Sequence, residues 1–330
     1  MTVAYVLEPR PVPSTWAHPL HDPSRAWPET NCYVDLWIEL LHALKVDPVA
    51  CFGFTLSTDF EGDQWTFFKP SFSDLYELYG VDVQELTIWR PLLDHVREQV
   101  ARKRLVLVEM DSFHLPDLHA TDYRRHHAKT TIAIESLDEA QGRVGYFHNA
   151  VYHELEGEDF EVLFKKGGYS IGAGVAGLPP YAEFVKIDRL VQRPRQELAL
   201  RASRYVKREL ERRPRQNPLT AFRERFPVDA AWLAERDLPS FHAYAFATIR
   251  QLGACYELTA EHLRWLDSED PAHVSAASHF EAISTGAKAL LFKVARMVNS
   301  KKKPNFDETM ASMETAWAAG IESLAARYGV

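Results

Sequence analysis

Two hydrophobic rhythms divide the chain near residue 190. Before that point, short runs alternate apolar and polar residues as half-buried strands do, with a few amphipathic helices between them. Beyond it, apolar residues recur only at the three- and four-residue spacing of helices. The first helix is read from TNCYVDLWIELLHALKVDP. There Val34, Trp37, Ile38, Leu41 and Leu44 form one stripe, Thr30 or Asn31 caps the start, and Pro48 ends it. Residues 49–56 and 64–69 read as strands around the acidic turn DFEGD, and residues 73–79 and 88–102 as helices. RLVLVEMD reads as a buried strand and AEFVKID as one more. Residues 1–30, with prolines at 9, 11, 13, 19, 23 and 28, are predicted to wrap over the surface. Later helices are predicted at 194–213, 229–236, 239–266, 271–300 and 305–328. The pattern predicts an α+β domain over residues 1–190 and a helical bundle over residues 191–330.

Residues 121–152, TDYRRHHAKTTIAIESLDEAQGRVGYFHNAVY, read as a hairpin. A β-branched run at 130–135 is followed by turn residues at 138–142 and a second strand at 144–147. His126 and His127 open the first strand and Asn149 closes the second, so an imidazole and a carboxamide are expected side by side. A nucleophile comes from the first helix. A cap at residue 30 or 31 puts Cys32 in the first turn, where N–H groups and the positive end of the helix dipole favour a thiolate over a thiol. The same groups suit an oxyanion. Cys51, in CFGFTL, and Cys255, inside a long helix, read as core residues. The order Cys32, His127, Asn149 is that of papain-like cysteine enzymes, in which imidazole takes the thiol proton and the third group fixes its tautomer. His127 is preferred to His126 because it directly precedes the strand. Asn149 is preferred to His148 because a carboxamide oxygen accepts a ring N–H at little charge cost.

Composition narrows the setting. The 330 residues are 46% hydrophobic and 25% charged, enough for one large core or two ordinary ones. A net charge of −8 argues against general nucleic-acid binding, and no apolar run has the length of a membrane helix. The first residues lack a signal-peptide pattern, and three scattered cysteines make no disulfide framework, so a cytoplasmic protein is expected. The glycine-rich passage 167–177 lacks the phosphate-loop spacing and reads as a surface loop or lid. His114, Asp117, His119, His148 and His153 match no familiar zinc spacing, and no metal is expected.

The segments ETNCYVDLWIELLHAL, LVEMDSFHLPDLHATDYRRHHAKTTIAI, GYFHNAVYHELEGEDF and SHFEAISTGAKALLFKVAR resemble the bacterial domain-of-unknown-function family 1839. Genes of that family lie beside amino acid:carrier protein ligases and small carrier proteins. The first half is also distantly similar to the butirosin-type acyltransferase, through Cys32, the piece Asp111–Leu115–Pro116 and the histidine. The resemblance implies a papain-like N-terminal domain and transfer of an aminoacyl group from a carrier protein's phosphopantetheine thioester to an amine or hydroxyl. No bound cofactor is implied beyond that substrate arm.

The expected set is Cys32 as nucleophile, His127 as base and then acid, and Asn149 as orienter. Asp111 or Glu109 would hold a substrate ammonium, or else pair with Arg124 or Lys129. Asn31 and His126, beside the two reacting residues, complete the substrate-binding set. An acidic carrier protein would dock on the arginines from Arg201 to Arg215 or on Lys301, Lys302 and Lys303, which otherwise read as solvated faces. The alternatives are a cysteine peptidase or amidase with the same triad, and a carrier-protein-binding scaffold without catalysis.

Overall fold

A computed structural model describes residues 3–9, 17–165, 179–300 and 304–330, so the predicted 167–177 loop and Lys301–Lys303 lie outside the described residues. The chain forms two compact units. One comprises Met1–Asp22, Asn31–Asp47 and Phe72–Gln192; the other comprises Pro23–Thr30, Pro48–Ser71 and Arg193–Val330. The division is therefore not a single cut near residue 190. Two early segments belong with the helices.

The first unit is built on an antiparallel sheet. Its strands are β1 (Ala4–Tyr5), β2 (Asp82–Glu85), β3 (Arg104–Asp111), β4 (Lys129–Asp138), β5 (Arg143–His148), β6 (Val151–Leu155) and β7 (Ala182–Lys186). Their order is β2-β7-β3-β4-β5-β6, with β1 paired to β4. The hairpin of β4 and β5 forms as its β-branched pattern predicts, with a register shift between Ile134 and Ser136. Three strands escape the sequence pattern. The two residues of β1 lie in the stretch read as a surface wrap, DVQE of β2 is short and polar, and VYHEL of β6 follows β5 after a two-residue turn in which Asn149 takes φ 49°. The unit's helices are α1 (Cys32–Ala43), α2 (Phe72–Tyr79), α3 (Leu92–Ala101) and the short α4 (Gly157–Phe160). One sheet face buries Val106, Val108, Met110, Ile132, Ile134 and Tyr146 against Leu92, Val96 and Val100 of α3.

The other face lies under helix α1 (Cys32–Ala43), which packs on β4 and β5. Ten of its residues are buried, so it is a core helix rather than a surface one. Two of these ten are acids, Asp35 and Glu39, and both meet buried His21: Nδ1 lies 2.6 Å from Glu39 and Nε2 3.4 Å from Asp35. Burial alone would lower the His21 pKa, but hydrogen bonding and charge from Asp35 and Glu39 outweigh it and raise the pKa to about 9.

The second unit contains α5 (Arg195–Arg212), α6 (Pro218–Ala234), α7 (Leu238–Ala245), α8 (Gln251–Leu266), α9 (Pro271–Ser300) and α10 (Asp307–Tyr328). A π-helical turn, Phe246–Arg250, joins α7 to α8. The expected strand at 49–56 is instead a run of 3-10 helix, Pro48–Ser57, and the expected strand at 64–69 contributes only a single bridge, Phe60 to Trp65. Residues 48–56 are all buried, and a uniformly apolar run carries no period that separates strand from helix. The helix expected to begin at 229 starts at Pro218 and runs through Pro227, where the sequence suggests a break. Rings of Phe60, Trp65 and Phe222 meet with centroids 5.3–5.7 Å apart and tie the early segment to α6. Trp27 likewise lies against α8, where a Cβ on Gly253 would overlap its indole.

The raised His21 pKa fixes a sign. A histidine whose folded pKa exceeds its unfolded value stabilises fully below about pH 6.5, and that contribution is lost as pH rises through about 9. The stability advantage of the wild type over His21→Gln in denaturant titrations is therefore expected to shrink steadily between those pH values; an advantage that grows with pH contradicts the ion-pair account. Gly253→Ala is expected to lower stability by about 1–3 kcal/mol despite alanine's better helix propensity, because the buried indole must move. Thermal unfolding checks this, and an unchanged or raised midpoint refutes it.

Candidate active site at the edge of the sheet

Asn31 precedes α1 in extended backbone, and its side-chain oxygen accepts the Val34 N–H at 2.9 Å. Its role is that of the helix cap, and it places Cys32 at the first helical position. Cys32 is partly exposed, whereas Cys51 and Cys255 are buried. Burial pushes the Cys255 thiol up to about 12, and Cys51 donates to the Pro48 carbonyl at 3.2 Å, so both are core residues.

The register shows which way α1 points. Tyr33, beside the cysteine, donates to Glu183 of β7 at 2.7 Å. Past the other end of α1, the Asp47 carbonyl accepts from Tyr79 at 2.6 Å; Tyr79 ends helix α2 (Phe72–Tyr79), which leads into β2. Asp82 of β2 pairs with Lys186 at the far end of β7. The start of α1 thus faces the end of the sheet where β3 finishes. Glu183 stands opposite Leu107, so by alternation Glu109 and Asp111 share its face of the sheet.

Asp111 is buried, with one oxygen accepting the Phe113 N–H at 3.1 Å and the other 2.6 Å from Nδ1 of His127. The Phe113 ring stacks on His127 with centroids 4.3 Å apart and planes 7° apart. Backbone bonds Ser112 N–H to Ala128 carbonyl (2.9 Å) and Ala128 N–H to Ser112 Oγ (3.1 Å) lock the chain on either side. An ionised carboxylate accepts only, so it favours the tautomer that carries its proton on Nδ1. The side chain of His127 remains 46% exposed.

The structure departs from the expected pairing of His127 with Asn149: the partner of His127 is Asp111. Asn149 takes the left-handed position of the β5–β6 turn, a conformation that asparagine tolerates better than most residues. Asp111 is correspondingly committed to the imidazole instead of being kept for a substrate ammonium. Glu109 is neutralised by Lys129 at 2.8 Å, the plain pairing that the sequence allowed. Arg124 binds Asp159, at 2.6 Å. His126 is exposed, and its N–H closes a turn on the Asp122 carbonyl. The signal for Asp111 was available: with RLVLVEMD set antiparallel to the strand opened by His127, Asp111 falls opposite Lys129, two residues from the histidine. Phe113 had no comparable signal, because its stacking depends on loop geometry.

A second histidine–carboxylate pair lies on the opposite face. Asp117 is 2.5 Å from Nδ1 of His148 and also accepts from the Tyr146 hydroxyl, while Nε2 of His148 lies 2.7 Å from Thr130 Oγ1. Burial alone would raise the Asp117 pKa, but its bond to His148, the charge of His148 and His153, and Tyr146 hold it below the ordinary carboxylate range. Burial lowers the pKa of neighbouring His153 and of His114. The chain of bonds resembles a relay, yet His148, Thr130 and the Asp117 side chain are all buried. It fastens the β3–β4 loop to the sheet. Among the described residues, no group of three or more His, Cys, Asp or Glu side chains is arranged to hold a metal ion.

Comparison with known proteins agrees with this two-part organisation. No curated protein matches the chain. Two family models do: the DUF1839 N-terminal domain over residues 16–187 and the DUF1839 C-terminal domain over residues 195–326. With matches spanning nearly its whole length, the chain belongs to the DUF1839 family.

Proposed function

We propose that this protein is a cysteine-dependent acyltransferase, with Cys32 as nucleophile and the His127–Asp111 pair as its acid–base partner on a papain-like arrangement of helix and sheet. The observation that carries this reading is the His127–Asp111 contact at 2.6 Å, on the sheet face and at the sheet end toward which the start of α1 points. In the first half-reaction Nε2 of His127 takes the thiol proton and the sulfur attacks a thioester carbonyl. The tetrahedral oxyanion draws on the N–H groups at the start of α1 before the departing thiolate regains the proton. In the second, an amine or hydroxyl attacks the acyl-cysteine, passes its proton to His127, and Cys32 leaves as thiolate and is reprotonated. Thioester exchange is nearly balanced in energy, so positioning supplies much of the rate.

The sequence resemblance supports an aminoacyl or acyl group on the phosphopantetheine of a small carrier protein as donor, in the cytoplasm. Docking would use the arginine face of α5. Part of that face is already engaged internally, since Arg201 pairs with Glu197, and Arg208 and Arg212 pair with Glu209. The alternative, a cysteine peptidase or amidase, forms the acyl-cysteine from an amide, with His127 giving its proton to the departing amine, and then takes water as acceptor.

Incubation with a panel of aminoacyl-pantetheine thioesters, followed by peptide mass spectrometry, is expected to place a covalent acyl group on Cys32 and on neither Cys51 nor Cys255. The rate of adduct formation should fall about 100-fold or more in His127→Ala. In Asp111→Asn it should fall about tenfold or more, and further than in Asn149→Ala. A Cys32 that stays unmodified with every donor, or one indifferent to His127, sinks the proposal and leaves a binding scaffold. Amide or ester product on adding amines or alcohols supports transfer, and free acid alone supports hydrolysis.

A further inference from the structure

The helical unit contains a pocket of about 510 Å³, within the range that accommodates drug-sized molecules. Its walls come from the early segment around Trp27 and Pro28, from α7 and the π-helical turn through Phe241 and Phe246, and from α9 through Leu291 and Phe292. The chemistry proposed for Cys32 involves none of these residues.

The wall at Trp27 is held firmly. The backbone N–H groups of Ala26 and Trp27 donate to the two carboxylate oxygens of Glu257, each at 3.2 Å, and the indole N–H faces the Ser284 carbonyl at 3.4 Å. Gly253 leaves the space the indole occupies. On the opposite side, the π-helical turn lets Phe246 and Arg250 both line the pocket, and such turns recur at functional sites. Phe246 and Phe292 are 44% and 64% exposed, a costly display of aromatic surface around one concavity.

Two cations line this apolar pocket. Lys288 donates to the Ala26 carbonyl at 2.8 Å and lies 4.5 Å from the centroid of the Trp27 ring; Arg250 holds Glu29 at 2.9 Å. Each bond uses one donor of an ammonium with three or a guanidinium with five. Glu29 is the pocket's acidic lining residue, so the lining carries an excess of positive charge over a mostly apolar wall.

We propose that this pocket binds a small amphipathic carboxylate, with its apolar body between Trp27, Phe246 and Phe292 and its carboxylate on Lys288 and Arg250. The test uses the full chain. Fluorescence of 8-anilinonaphthalene-1-sulfonate is titrated to saturation and then displaced with octanoate or with octan-1-ol. One site is expected, with displacement by octanoate. In Ala295→Trp, which fills the pocket, and in Phe292→Ala, which opens its mouth without touching the core, octanoate affinity should fall about tenfold while the melting temperature holds. Lys288→Gln and Arg250→Gln should each weaken octanoate about fivefold and leave octan-1-ol nearly unchanged. Octanoate that fails to displace the dye, displacement indifferent to the pocket variants, or equal losses for acid and alcohol in the charge variants would each overturn the proposal.

Discussion

A carboxylate removed from water must find donors, and that requirement organises the sheet unit around α1. Asp111, Asp35, Glu39, Glu135 and Glu183 are all buried. Each is met by a partner from another part of the chain: His127 for Asp111, His21 for the two acids of α1, Tyr152 for Glu135, and Tyr33 for Glu183. These pairs connect α1 to the N-terminal segment and to β7, and strand to strand, at positions where apolar contact would leave the register free to slip. Breaking one would leave a buried charge alone, which is the expensive case. At the end of β3 the pair is Asp111 with His127, whose geometry is set by that bond, by the Phe113 N–H on Asp111 and by the stacked Phe113 ring.

The two histidine–carboxylate pairs show how burial decides what the same chemistry can do. His148 with Asp117 has the shorter contact and adds a hydroxyl from Thr130, which on paper is the more complete relay. It lies inside the sheet unit, where no substrate reaches the imidazole, and both ring nitrogens are already bonded. His127 keeps one nitrogen for Asp111 and a half-exposed ring edge for a reactant. A stacked phenyl ring holds the imidazole plane without consuming a nitrogen, which a second hydrogen bond could not do.

Much of this was legible in the chain. The cap at Asn31, the helix behind Cys32, β3 and the β4–β5 hairpin follow from spacing and turn chemistry, because each is a local pattern with its own period. Misreadings occurred where local information ends. Pro48–Ser57 is aromatic and β-branched and folds as 3-10 helix because it is buried on all sides, and burial is a tertiary property. The neighbour of His127 differs from expectation for the same reason: a strand opened by the histidine would set it beside Asn149, whereas β4 begins at Lys129 and the imidazole meets Asp111 of β3. The glycine-rich passage gave its composition alone, which specifies no partner.

The choice of aspartate over asparagine behind His127 has a chemical consequence. A carboxamide can present either its oxygen or its NH₂ group to the ring, and so can hold either tautomer; an ionised carboxylate accepts only, and so holds one. With Asp111 further pinned by the Phe113 N–H, the carboxylate selects the tautomer with the proton on Nδ1 and leaves Nε2 as the ring's other nitrogen. A carboxylate also stabilises an imidazolium, which a neutral amide does only through its dipole. Under the proposed transfer, in which Cys32 would be released first from its proton and later from its acyl group, a base whose charged state is supported suits both halves of the reaction. The buried carboxylate at the end of β3 is thus the group that sets the polarity of the imidazole.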